Sequence, residues 1–361
     1  GYCADEEVYG CTDEEGGALN YDENATEEDG SCYYTIIQNL DLHEGLNLVS
    51  FHTLPDETSV NGFFNESSSI ISDIITESSA AFNFSSDSYA WLGSLINIEP
   101  TKGYWLNSID SQIFSVEGYP TGSDLVYNLH IGPNLISFPD SGSYALSDVI
   151  PNQFEGVVYG ILGEGLSTVY DDGQWEGSLI ALEGGSGYWF KSYNDISLTF
   201  DINSSLSRQL HNPKVEQLSD YEYKQSSQQA FYFIKNVENI ELGDWILALN
   251  NDIVVGSRLW NGQTTDVPAM GNDNFEFTTG YCESGDIPQF KLYKHSTGEL
   301  LNLYGEVNPW NSNSITMIDN LYLNDIFELP NKVVINNIYP NPFNPVSNIE
   351  FNVPFNTNVS I

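Results

Sequence analysis

Short runs of alternating apolar and polar residues recur along most of the chain, broken by Gly, Asn, Asp, Ser and Pro. A period of two predicts strands with one buried face. QQAFYFIKNVENIELGDWILALNNDIVVGSRLW (228–260) carries several such runs, and ALNNDIVVG within it predicts a hairpin turning at Asn251 and Asp252. Near the C-terminus Ile349, Phe351 and Val353 alternate with Asn348, Glu350 and Asn352. A lone strand cannot satisfy its hydrogen bonds. The expectation is that this strand adds to an earlier domain or that the natural chain continues beyond Ile361. Helical periodicity is scarce, and the predicted fold is all-β, a chain of small antiparallel modules.

The same pattern occurs twice. WLGSLINIEPTKGYWL (91–106) matches WEGSLIALEGGSGYWF (175–190) at an offset of 84, and LHEGLNLVSF (42–51) matches LHIGPNLISF (129–138) at an offset of 87. SDII (72–75) aligns with SDVI (147–150), with one short helix expected near the Ser-Asp pair. Retained strands and variable loops shift offsets in this way. Two homologous modules, 36–120 and 121–203, follow. Trp91, Trp105, Trp175 and Trp189 recur at equivalent positions. Their recurrence favours core packing, with carbohydrate stacking as the alternative. Residues 204–225 hold Arg208, Lys214, Lys224 and Pro213 and read as a linker. Residues 226–330 read as one antiparallel β-sandwich.

Composition narrows the class of partner. Ten Lys and Arg face 51 Asp and Glu, a formal charge of −41, which argues against nucleic acid or anionic lipid. No apolar run approaches the length of a membrane span. Gly1 opens the chain without a signal peptide, so the expectation is an export signal already removed or a cut N-terminus.

Residues 1–35 form a unit of their own. Eleven acidic residues and no Lys or Arg accompany three of the four cysteines in its first 34 positions. So small and charged a segment needs disulfides or metal to fold. Cys11 with Cys32 would close a loop of roughly 20 residues, a constraint of about 3 kcal/mol in the chain-entropy model. Asp22, Asn24, Thr26 and Asp29 present closely spaced oxygens suited to calcium, the tentative cofactor, although Glu27 and Tyr33 exclude an EF-hand. The competing reading is a solvated acidic face. Cys282 has two alternatives, pairing with Cys3 or remaining a buried free thiol.

Several stretches resemble known families. GCTD, ALNY, NAT and DGSC in the first unit resemble an acidic cysteine repeat of secreted proteins from marine Bacteroidetes, in which Cys3 would end a preceding copy. The tandem modules are similar to GWNLISLP…GYWV modules of secreted and surface-layer proteins. DVPAMGNDN (266–274), after the GDWILAL hairpin, resembles a domain of type IX secretion cargo. IYPNPFNPVSNIEFNVP, with Tyr339, Pro340, Asn341, Pro342, Phe343, Asn344 and Pro345 at its centre, resembles the start of a type A C-terminal sorting domain. That likeness implies recognition by the type IX secretion machinery and an extracellular or outer-surface location. It also implies that residues 331–361 supply only the first strand of a small β-sandwich.

Catalytic motifs are lacking. The sequence has no G-x-S-x-G elbow, H-E-x-x-H helix, phosphate-cradling Gly loop or zinc-spaced Cys pair. His43, His52, His130, His211 and His295 are scattered, and His43 and His130 are repeat equivalents beside a strand start. With 51 carboxylates, a glycosidase pair can always be chosen and means nothing without geometry. The expectation is a noncatalytic secreted cell-surface protein, or the adhesion region of one, with a glycan or protein ligand. The alternatives are an accessory region of a larger secreted hydrolase and a self-assembling subunit of a filament or sheath.

Overall fold

The computed structural model describes residues 7–64, 70–83, 91–202, 210–323, 334–339 and 348–352. Their regular structure is almost all strand, and the two α-helices have four residues each. The first module is built on a sheet of β1 (Gly45–Ser50), β2 (Ile71–Ile75), β3 (Ala80–Asn83), β4 (Trp91–Gly93) and β5 (Gly103–Ser108), in the order β1-β5-β2-β3-β4. The second uses β6 (Gly132–Ile136), β7 (Val158–Leu162), β8 (Ser167–Asp171), β9 (Gln174–Gly177) and β10 (Tyr188–Ser192), in the order β6-β10-β7-β8-β9. The two orders are the same. Registers agree as well: Leu48 and Ile75 flank Trp105 as Leu135 and Leu162 flank Trp189. Even the irregularity recurs, between Ile71 and Asp73 and between Val158 and Gly160.

One part of the repeat alignment is corrected. Ser72–Ile75 lie in β2, whereas Ser147–Val149 lie in a helix, α2 (Leu146–Val149), whose counterpart is α1 (Val60–Phe63). Val60 N–H donates to the Ile96 carbonyl and Leu146 N–H to that of Ile180, so the two helices hang from equivalent residues. The apparent match arises because Ser-Asp before two β-branched residues suits a strand as well as a first helical turn.

The strands of each sheet that face the other module are buried on both sides. In β1, Val49 enters the first module's own core while Leu46 and Leu48 point the other way, toward the second module. The modules meet reciprocally: Val49 bridges to Ser186, and the equivalent Ile136 bridges to Lys102. The GYW triplets explain this closeness. A Cβ on Gly103 would lie 2.8 Å from the Ile136 carbonyl oxygen, and one on Gly187 2.6 Å from that of Val49. Only Gly lets the partner backbone approach. The tyrosine hydroxyl of each triplet accepts a backbone N–H, Tyr104 from Glu99 and Tyr188 from Glu183, both at 2.7 Å. Each tryptophan enters the shared cluster.

The third unit is a sandwich of two sheets. One has β14 (Thr265–Met270), β11 (Gln229–Val237) and β17 (Ile315–Leu321) side by side; the other runs β13 (Ile253–Leu259), β12 (Trp245–Asn250), β15 (Gln289–Lys294) and β16 (Glu299–Leu303). The Asn251-Asp252 hairpin forms between β12 and β13, with Asn251 at φ 54°. The expectation of an antiparallel sandwich fails at one pair, because β17 runs parallel to β11. The chain crosses the second sheet before returning beside β11, so it arrives pointing the same way. β11 is apolar on both faces: Tyr232 and Ile234 enter the sandwich core, while Phe231 and Phe233 enter the inter-module cluster with Trp105 and Trp189.

The segment read as a linker straps the units together. Asn212 Oδ1 accepts from Ile180 N (2.9 Å) and Ala181 N (3.0 Å), and Leu218 and Tyr221 cover Trp245 and Leu247. At the C-terminal end, β18 (Val334–Tyr339) pairs antiparallel with β19 (Asn348–Asn352). Among the described residues this strand pairs with the segment just before it, so residues 331–361 hold two strands where the resemblance implied only a first one.

Candidate functional site

In the N-terminal unit Cys11 and Cys32 form a disulfide, and Tyr9–Gly10 pairs parallel with Glu27–Glu28. The four oxygen-bearing residues each have local work. Asp22 Oδ1 accepts from Asn24 N (2.9 Å) and Nδ2 (3.0 Å), Thr26 Oγ1 from Val8 N (3.0 Å), and Asp29 Oδ1 from Ser31 N (2.9 Å). The Asp22 and Asp29 bonds are turn closures of the Asx kind, whereas Thr26 ties down Val8 beside the strand end. The grouping of His, Cys, Asp or Glu ligands found among the described residues is Cys11, Glu28 and Cys32, and its two sulfurs are already bonded to each other.

Of the sorting motif, Tyr339 closes β18, and Pro340, Asn341, Pro342, Phe343, Asn344 and Pro345 lie outside the described residues, as does Cys3. Cys282 is a buried free thiol, and burial pushes its pKa up to about 12. It is therefore a packed apolar side chain with little thiolate at neutral pH. Trp91, Trp105 and Trp189 are buried, while Trp175 is half-buried against Tyr170. The four rings form no exposed row.

Several chemistry-bearing side chains come together at the junction of the units, and Asp244 and Lys294, 2.7 Å apart, pair within the sandwich. His43 Nε2 meets Glu164 Oε1 at 2.6 Å, and that carboxylate's other oxygen accepts from Leu48 N at 2.7 Å. Reciprocally, His130 Nε2 meets Glu77 Oε1 at 2.5 Å, and Glu77 Oε2 accepts from Leu135 N at 3.2 Å. Each ring is steered by its Nδ1, which bonds the carbonyl of the next residue. The Glu164 hydrogen bond holds the His43 pKa up at about 9, and Glu77 raises that of His130. His43 thus carries charge at neutral pH, His130 is shifted the same way, and each ring clasps one module to the other. Sequence reading placed the histidines but missed the glutamates, although the 87-residue offset that relates His43 to His130 also relates Glu77 to Glu164.

Between the second module and the sandwich the pivot is Asp266, within the DVPAMG stretch. Its buried carboxylate accepts from Ser167 N (3.1 Å), Ser167 Oγ (2.9 Å), Ser178 N (3.1 Å) and Ser178 Oγ (2.6 Å). Arg258 lies 3.4 Å away and donates to the Gly165 carbonyl at 2.6 Å. A buried carboxylate is tolerable only when so fully bonded. Nearby, buried Lys191 donates to the Asn313 carbonyl, and desolvation pushes its pKa down to about 8.

Two hollows flank this junction. One of about 390 Å³ lies among Glu77, Trp105, His130, Trp189, Ser227 and Asn313. A larger one of about 930 Å³ is walled by Trp175, His211, Lys214, Arg258 and Asp266. Glu77, His130, Arg258 and Asp266 are engaged in the joints between units, while Glu176, Lys214 and Glu216 line the larger hollow outside those joints. In comparisons with known proteins, the chain matches no family model, no curated protein and no solved structure.

Proposed function

We propose that the chain is a noncatalytic secreted surface protein, or the binding and adhesion region of one, exported by the type IX machinery through its YPNPFNP tail. The observation that carries this reading is the use made of the reactive side chains: His43, Glu164, His130, Glu77, Arg258 and Asp266 join modules to one another. Such side chains hold a scaffold rigid. The Cys11–Cys32 disulfide suits an oxidising compartment, and the acidic surface suits salty water, where its self-repulsion is screened. Calcium at Asp22, Asn24, Thr26 and Asp29 enters this proposal only as weak association with an acidic face. The test is localisation in the native host, comparing cells with an intact and a disabled type IX translocon. Protease-accessible protein on intact cells or in the medium, lost to the periplasm when the translocon is disabled, is the expected result. The same location in both strains would overturn the reading.

A further inference from the structure

The corner of the second module that receives Asp266 has a twin on the first. In the second module, Ser167 N donates to Ser178 Oγ at 3.3 Å and Leu179 N to the Ser167 carbonyl at 2.9 Å. In the first, Ala80 N donates to Ser94 Oγ at 3.3 Å and Leu95 N to the Ala80 carbonyl at 3.1 Å. The glycines that precede these serines are equally constrained. A Cβ on Gly93 would lie 2.0 Å from the Ala80 carbonyl oxygen, and one on Gly177 2.2 Å from that of Ser167.

What fills the second-module corner is a cross-strand pair. Asp266 and Phe233 lie directly opposite each other on β14 and β11. The carboxylate takes the Ser178 N–H and hydroxyl while the Phe233 ring lies against Gly177. On the first module the same corner is bare: Gly93 and Ser94 are exposed, and Leu92 beside them is 59% exposed. The strip continues to Ile96, 65% exposed, whereas its counterpart Ile180 is 39% exposed beside the Asn212 strap. Among the described residues, nothing accepts the Ser94 N–H whose counterpart binds Asp266.

We propose that the Ala80–Gly93–Ser94 corner is a second docking site, for a β-sandwich edge of a partner protein that presents an aspartate and an aromatic ring as a cross-strand pair. A second intact copy of this chain does not qualify, because its own Asp266 and Phe233 are buried against its second module. The donors suit a carboxylate, which gains charge-assisted hydrogen bonds from an N–H and a hydroxyl. Leu92 supplies the apolar contact. The site rests on module geometry alone and stands whether or not the chain is exported.

The probe is a synthetic hairpin in which the β11 segment Gln229–Ile234 is joined through an Asn-Gly turn to the β14 segment Thr265–Met270, with a disulfide closing its ends. It is titrated into the full chain labelled with nitrogen-15. Saturable shifts at the Ala80, Gly93 and Ser94 amides are expected. Affinity should fall at least fivefold when the peptide's aspartate is replaced by asparagine, and again with Ser94→Ala protein, whose unchanged remaining spectrum shows that it is folded. Shifts confined to Ser167 and Ser178, no saturable shift, or equal affinity for the asparagine peptide would each overturn the proposal.

Discussion

Equivalent sheet faces of the two modules, each carrying one of the paired tryptophans, differ where only the second meets the sandwich. On the second module the face is covered by the sandwich, and its residues have adapted to that cover. Gly160 leaves room for Ile315, since a Cβ there would lie 2.2 Å from the Ile315 Cδ1, and Lys191 reaches the Asn313 carbonyl. On the first module the equivalent positions are Asp73 and Asn107, which bond each other at 2.8 Å in contact with solvent. The covered position thus holds no carboxylate, whereas the polar pair stands where water reaches it. Nearer the other module the same faces show the opposite trend. There Leu48 and Leu135, Trp105 and Trp189, and the two His–Glu clasps remain near-copies, because a reciprocal interface needs the same patch twice.

The largest expected effects lie in the cluster where the two modules meet. Trp105→Ala and Trp189→Ala should each cost about 3–5 kcal/mol, since each empties a large volume in a cluster shared by three units. Urea unfolding measures both. A loss at one position only would break the idea that the two rings are structural equals.

The covered and bare corners should then separate. Asp266→Ala leaves Arg258 and two buried N–H donors without their acceptor, at a cost of about 3 kcal/mol. Ser178→Ala removes one hydroxyl bonded to that carboxylate and should cost about 1–2 kcal/mol, whereas Ser94→Ala, on the exposed twin, should stay within about 0.5 kcal/mol. Equal costs for the two serines would contradict the asymmetry.

The clasps predict a smaller effect, which depends on pH. His43 has its pKa raised from 6.5 to about 9 in the folded chain, so its contribution is complete below about pH 6.5 and fades as pH rises toward 9. His130 moves in the same direction. Because both rings are half-exposed, each clasp should contribute under about 1 kcal/mol. Lys191 acts with the opposite sign: its lowered pKa favours the folded chain increasingly above about pH 8, so the clean window is pH 6.5 to 8. Thermal melts across that window should show stability declining with pH, and the decline should flatten in the Glu77→Gln, Glu164→Gln double variant. An unchanged slope there would assign the titration to other groups.

Much of this was legible in the chain. Period-two alternation located strands in 228–260 and at 348–352, and the offsets of 84 and 87 aligned the modules, because repeated strands must keep their buried residues. The uninterrupted run AFYFI marks a strand buried on both faces, but alternation carries no information about strand direction, so the parallel β11–β17 pair was hidden. Helix α2 was misaligned because a four-residue match is too short to outweigh propensities that suit two structures. Asp266 opens the DVPAMGNDN stretch, whose first residues form strand β14. Its role depends on serines 88 and 99 residues away, a separation that no local pattern records.

The central claim, that twin corners differ because only one is filled by this chain, is tested most directly by hydrogen exchange at single amides. Ser167 and Ser178 amides, held by the buried Asp266 carboxylate, should be protected as strongly as the sandwich core, while the Ser94 amide should exchange near its intrinsic rate. Comparable protection at Ser94 and Ser178 would contradict the account.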